Sequence, residues 1–175
     1  MIEQVYDASN LEKIYSGIFR STNPFSRAGQ PNLPSTVVIY PTNGYYLTKL
    51  QFDAMMYANK TIGSSEFFVS QVEHSYHSPF VEGEHWKCVN PSFEEYYEIS
   101  IGLENAVYST RASWGILISH EDHALLVSNL EFWEAFKSRY PDWGKEYFTF
   151  LENWKNLNVD NSWLEDFLAG LTVKP

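Results

Sequence analysis

The chain has 175 residues with 44% apolar and 17% aromatic side chains, enough for one domain whose core buries roughly 70% of the unfolded surface. Its net charge of −10 repels nucleic acid and anionic membranes, and no segment approaches the roughly 20 apolar residues of a membrane span. MIEQVYDASN has neither the basic start nor the apolar run of a leader, so a cytoplasmic protein is expected, and the single cysteine, Cys88, excludes an internal disulfide and a thiolate-rich metal site.

In chain order, Ser9 and Glu12 read as a capping box opening a helix that buries Leu11, Ile14, Tyr15, Ile18 and Phe19. Residues 21–35 hold three prolines and no period, which predicts a long surface loop with Arg20, Arg27 and Phe25 as its contact candidates. Val37 to Tyr40 reads as a strand, at an edge because of Pro41, with Asn43-Gly44 turning into a return strand over Tyr45 to Leu47. Thr48 and Gln51 cap a helix through about Asn59 that turns Phe52, Met55 and Met56 inward, with Gly63 beyond its end. A strand is expected over 66–72. From His74 to Asn90 no period stands out.

Residues 92–108 fit both a strand and a helix; length and the Ser92–Glu95 capping box favour a helix, against which Gly102 speaks. Trp114 to Tyr140 then reads as strand, tight turn, strand and capped helix. With Glu121-Asp122 as a two-residue loop, His120 faces His123, Ile118 faces Leu125 and Ile116 faces Val127, although neither loop residue accepts positive φ as glycine does and a bulged loop would shift the register. Both faces of this hairpin are non-polar, which predicts a central position covered on both sides. Ser128 with Glu131 reads as the cap of the following helix, which carries Phe132, Trp133, Ala135, Phe136 and Tyr140 up to Pro141. Asp142 caps a further helix, and Asn161 or Ser162 a last one. The fold class expected is α+β: an antiparallel sheet with a central hairpin at 114–128 packed by amphipathic helices, in one domain over 1–175 with 142–175 either part of it or a C-terminal helical extension.

Charge is unevenly spread. Residues 1–60 carry five basic and four acidic side chains, residues 61–110 one and eight, and residues 111–175 six and ten. The acidic middle segment predicts a surface that steers a basic partner, with Glu82, Glu84, Glu94, Glu95 and Glu98 around Trp86 as an aromatic anchor. Four of the five histidines form two H-x-x-H pairs, His74 with His77 and His120 with His123. In the register above the second pair would be cross-strand neighbours, close enough to share a metal, but a third protein ligand would have to come from elsewhere. No metal and no cofactor is expected. Neither G-x-S-x-G, a phosphate-cradling glycine loop nor H-E-x-x-H occurs, and Cys88 sits among Glu82, Glu84 and Lys87 rather than in an electropositive setting.

The stretch ENAVYSTRASWGILISHEDHALLVSNLEFWEAFKSRYP, Glu104 to Pro141, resembles the immunity proteins that accompany bacterial polymorphic or contact-dependent toxins. The shared pattern is a helix ending near Glu104-Asn105-Ala106, a Trp-Gly strand, Ser-His-Glu at the turn and a Phe-rich helix ending at Tyr-Pro, with Asn129 departing from the glycine that such chains often carry. The resemblance implies a non-enzymatic cytoplasmic inhibitor that binds one cognate toxin domain, and an acidic, aromatic-rich protein is suited to a basic nuclease domain. Two other readings stay open: a metal-dependent enzyme using the histidine pairs, and an adaptor of a phage or larger assembly.

Overall fold

The computed structural model describes residues 1–72, 80–157 and 160–175, without the side chains of 81–83. Its described elements are, in chain order, β1 (Ile2–Gln4), α1 (Ala8–Ser16), β2 (Ser35–Ile39), α2 (Lys49–Thr61), β3 (Glu66–Val72), β4 (Phe80–Val89), α3 (Phe93–Tyr97), β5 (Asn105–Ser109), β6 (Trp114–Ile118), β7 (Ala124–Ser128), α4 (Leu130–Arg139), α5 (Trp143–Asn156) and α6 (Trp163–Gly170). The seven strands form one antiparallel sheet in the order β1-β4-β3-β5-β6-β7-β2. This is the α+β architecture expected, with a central β6–β7 hairpin and a helical C-terminus.

Side-chain alternation sends every strand's residues to two cores. On one face Val37, Phe67, Val69, Val107, Trp114, Ile116, Ile118 and Leu126 meet Phe52, Met55, Tyr96, Phe132, Trp133 and Phe136 from α2, α3 and α4. On the other, Val38, Phe68, Tyr108, Leu117, Leu125 and Val127 meet Leu11 and Tyr15 of α1, and Tyr147, Phe150, Trp154, Leu164 and Phe167 of α5 and α6. Helices on both faces explain why the central hairpin has no polar side, and α5 and α6 supply one wall of the second core.

The hairpin register differs by one residue from the expected one. Ile116 pairs with Leu126 and Ile118 with Ala124, and the Ser119 N–H donates to the His123 carbonyl at 2.9 Å, so the loop has three residues, His120 to Asp122. Asp122 supplies the left-handed residue that such loops need, at φ 56°. Its carbonyl accepts from Thr42 N–H at 2.9 Å and its carboxylate from Gly44 N–H at 3.1 Å, so the turn is pinned to the neighbouring loop. Slipping by one residue moves Ala124 and Leu126, rather than Leu125 and Val127, onto the Trp114 face.

Helix starts shift where two capping residues compete. Asp7, not Ser9, caps α1 and accepts from the Ser9 N–H at 3.0 Å. Asn129, not Ser128, caps α4 and accepts from the Phe132 N–H at 2.8 Å, because Ser128 is the last residue of β7 with its hydroxyl buried and unpartnered. Thr48 and Gln51 do form the reciprocal box at α2. Asn43 and Tyr46 close a turn with Gly44 at φ 56°, but no return strand follows. β2 is an edge strand, as Pro41 suggested.

Two further expectations are corrected. The segment after Ser92 is a five-residue helix followed, past Gly102, by the central strand β5, so the helix expected to end near Ala106 in the toxin-immunity pattern is a strand there. β4 falls where no period was visible. Its pairing with β3 jumps from Ser70–His85 to Val72–Phe80, and the extra residues on β4 break the period-two pattern by which a strand is recognised.

Candidate partner-binding site

Within the acidic segment 61–110, β4 and α3 come together at one end of the sheet. β4 pairs with β1 so that Gln4 lies opposite Trp86 and Ile2 opposite Cys88, which places Ile2, Gln4 and Trp86 on the face that carries α3. α3 begins with a reciprocal capping box: Glu95 Oε2 accepts from the Ser92 N–H at 2.8 Å and Ser92 Oγ from the Glu95 N–H at 3.1 Å. This short helix and the turn after it stand opposite β1, and a cavity of about 490 Å³ opens between them, lined by Ile2, Gln4, Trp86, Glu95, Glu98, Ile99 and Ser100.

Of the six residues expected to bind a partner, Trp86, Glu95 and Glu98 therefore share one cavity. Glu94 is exposed on α3 beside them, and Glu84 is half-buried two residues before Trp86 on β4. Glu82 lies in β4 with its side chain outside the described residues. Ile2 and Gln4 complete the wall without having been singled out, because a three-residue strand leaves no periodic signal.

The charged side chains that line this cavity are both acidic, with the Met1 amino group as the cation beside them. Lys87, the one basic residue of 61–110, alternates to the opposite face, where its Nζ lies 3.0 Å from Glu66. On the α3 side, hydrogen bonds from its own backbone and from Ser92 hold the Glu94 carboxyl below its ordinary range. The Ser92 N–H, and then the Met1 amino group, do the same for Glu95, whose Oε1 lies 3.6 Å from that amine. Among the described residues the Glu98 carboxylate has no ion-pair or hydrogen-bond partner.

The three described histidines are dispersed. His120, on the exposed loop, pairs with Glu104 and lies 3.3 Å from Glu121. His123 is fully buried, with Nε2 3.2 Å from the Pro24 carbonyl oxygen and the rings of Phe25, Phe150, Trp154, Trp163 and Phe167 around it. Burial pushes its pKa down to about 4. The one-residue register shift removes the cross-strand pairing that would have let these two rings share a metal. His74 and His77 lie outside the described residues. His85 is buried with neither ring nitrogen hydrogen-bonded, and burial lowers its pKa as well. Among the described residues no group of three or more His, Cys, Asp or Glu side chains is placed to hold a metal. Cys88 is buried, which raises its thiol to about 12.

The loop at 21–35 packs against α6. Arg27 Nε sits 2.9 Å from the Asp166 carboxylate, Phe25 packs edge-on against Trp163 at 4.8 Å, and Arg20 donates to the Arg27 carbonyl at 3.3 Å. Of its three contact candidates, Phe25 and Arg27 thus contact α6, and Arg20 is exposed at the start of the loop.

Compared with known proteins, the chain matches no family model, no curated protein and no solved structure at a significant level. Among the described residues no helix is long and apolar enough to cross a membrane.

Proposed function

We propose that this chain is a non-enzymatic immunity protein that binds and neutralises a cognate toxin domain of basic, nuclease type in the cytoplasm, and that it docks that domain on the corner formed by α3, β1 and β4. The observation that carries this reading is the segregation of charge: Lys87 is turned to the far face and tied to Glu66, while Trp86, Glu94, Glu95 and Glu98 gather on the near one. A half-buried aromatic ringed by carboxylates is the arrangement by which interfaces anchor and orient a basic partner. The resemblance of residues 104–141 to toxin-immunity proteins supports the partner class.

The test is association of the purified chain with the toxin domain encoded beside it, measured at low and high salt. Replacing Glu84, Glu94 and Glu98 by Lys should slow association about tenfold at low salt and flatten its salt dependence, with the fold intact. A toxin domain that the chain neither binds nor silences would refute the reading.

A further inference from the structure

Building on that reading, we infer that the cavity beside Trp86 is a receptor for a single arginine side chain, presented by a loop of the basic partner. Its volume, about 490 Å³, lies within the roughly 300–1,000 Å³ of ligand sites and accommodates one long side chain with the backbone that carries it.

The wall chemistry selects the occupant. Ile2, Ile99 and the Trp86 ring provide apolar surface, which suits a side chain with a methylene stem. Glu95 and Glu98 line the cavity too. Glu95 is already engaged, one oxygen by the Ser92 N–H and the other near the Met1 amine, so Glu98 is the carboxylate left to receive an incoming cation. The Trp86 indole N–H has no hydrogen-bond partner among the described residues, and the half-buried ring lines the cavity beside Ile2 and Ile99. A neutral or anionic side chain would leave Glu98 uncompensated, and a purely apolar one would bury it.

Between the two cationic side chains, the geometry favours arginine. A guanidinium is planar and weakly hydrated; it can lie on an indole face and still direct paired N–H groups to a carboxylate at the ring's edge. An ammonium is a compact, strongly hydrated charge that gains less from the aromatic wall. Two further cavities among the described residues differ in their charged groups. One, lined by Glu3, Tyr6, Asp7 and Phe68, holds Lys87 as well; in the other, between Tyr40 and Trp154, the Asp122 carboxylate already accepts from the Gly44 N–H and Glu121 lies 3.3 Å from the His120 ring.

The experiment separates arginine recognition from partner binding. The first arm titrates the isotope-labelled chain with Nα-acetyl-arginine methylamide, its lysine counterpart and its neutral citrulline isostere, following the Trp86 indole N–H resonance by NMR. The arginine derivative should give a saturable shift in the millimolar range. The lysine derivative should bind severalfold more weakly, the citrulline derivative should produce no shift, and Glu98→Gln should abolish the response while leaving the other indole resonances in place. An equal response to citrulline, an unmoved Trp86 resonance or an unchanged response in Glu98→Gln would each overturn the inference. The second arm uses the toxin domain: Glu98→Gln and Trp86→Leu should each weaken the complex about tenfold or more, as central anchors do. A complex that both variants leave unchanged would overturn the arginine receptor while the immunity reading stands; arginine binding by a chain that engages no toxin would support the receptor while that reading falls.

Discussion

Phe19 occupies the space in which Gly115 would carry a side chain. A Cβ built on Gly115 would lie 2.6 Å from Phe19 Cε2 and 2.8 Å from Cζ, and 3.0 Å from the Ile18 Cγ2. Both neighbours are buried against the central strand β6, so neither can swing away into solvent. Gly115→Ala should therefore destabilise the protein by about 1–3 kcal/mol, the usual cost of overpacking a filled core. Phe19→Leu should offset part of that cost in the double variant, because it withdraws the clashing atoms. Chemical denaturation of the two single variants and the pair measures this coupling, and strict additivity would contradict it.

Trp114 is held from two directions on the opposite face. Its indole N–H donates to Asn59 Oδ1 at 3.1 Å and its ring stacks on Phe132 at 4.6 Å, joining β6 to α2 and α4. Truncation to Ala should cost on the order of 3–5 kcal/mol, and so should Trp133→Ala, which removes the edge-on contact with Trp143 at 5.0 Å. Trp114→Phe isolates the polar part. It preserves most of the packing but leaves a buried amide oxygen without its donor, at a cost of about 1–3 kcal/mol, which Asn59→Leu in the same chain should partly relieve. Unfolding midpoints of these variants provide the check.

The fold was legible wherever local pattern and tertiary environment agreed. Trp114 to Ile118 and Ala124 to Val127 are two apolar runs separated by a short polar turn, so two central strands followed from them, and Thr48 with Gln51 marked the start of α2 through a reciprocal bond that depends on local geometry alone. The register of the hairpin was less legible because it depends on Asp122 adopting a left-handed backbone, which its contacts with Thr42 and Gly44 support. β4 was hidden because its bulge interrupts alternation, and β5 because the capping box at Ser92 announces a helix without saying that it ends after five residues. The charge count singled out Trp86, Glu95 and Glu98. It gave no hint of Ile2 and Gln4, which reach the site only through a pairing between residues more than 80 positions apart.

Adjacent residues Ser128 and Asn129 test how the cap of α4 is chosen. Asn129→Ala removes the acceptor for the Phe132 N–H and should cost about 1 kcal/mol. Ser128→Ala should be neutral or stabilising, since the hydroxyl it removes is buried at the end of β7 and makes no hydrogen bond. A larger loss from Ser128→Ala than from Asn129→Ala in thermal unfolding would return the cap to Ser128.

His120 and His123, at the β6–β7 turn, should differ as positions for substitution. His123 is enclosed by aromatic rings, and desolvation takes its pKa from 6.5 down to about 4. In the unfolded chain it binds a proton near pH 6.5; in the folded chain it stays neutral until about pH 4. The unfolded state therefore holds the extra proton between these values, so the contribution of this residue to stability is complete above pH 6.5 and is lost as pH falls towards 4. The full loss is about 3 kcal/mol, with His85 adding a change of the same sign. His123→Gln, which keeps an N–H for the Pro24 carbonyl, should lower stability at neutral pH but flatten its decline through this window. His120→Gln should change stability at pH 7 by less than about 1 kcal/mol, because His120 and its partners Glu104 and Glu121 form a solvent-accessible group. Its profile from pH 7 to 4 should retain the His123 slope. Denaturant titrations at half-unit pH steps decide the matter: an acid slope that persists unchanged in His123→Gln would mean that a different group, not the caged imidazole, takes up the proton on unfolding.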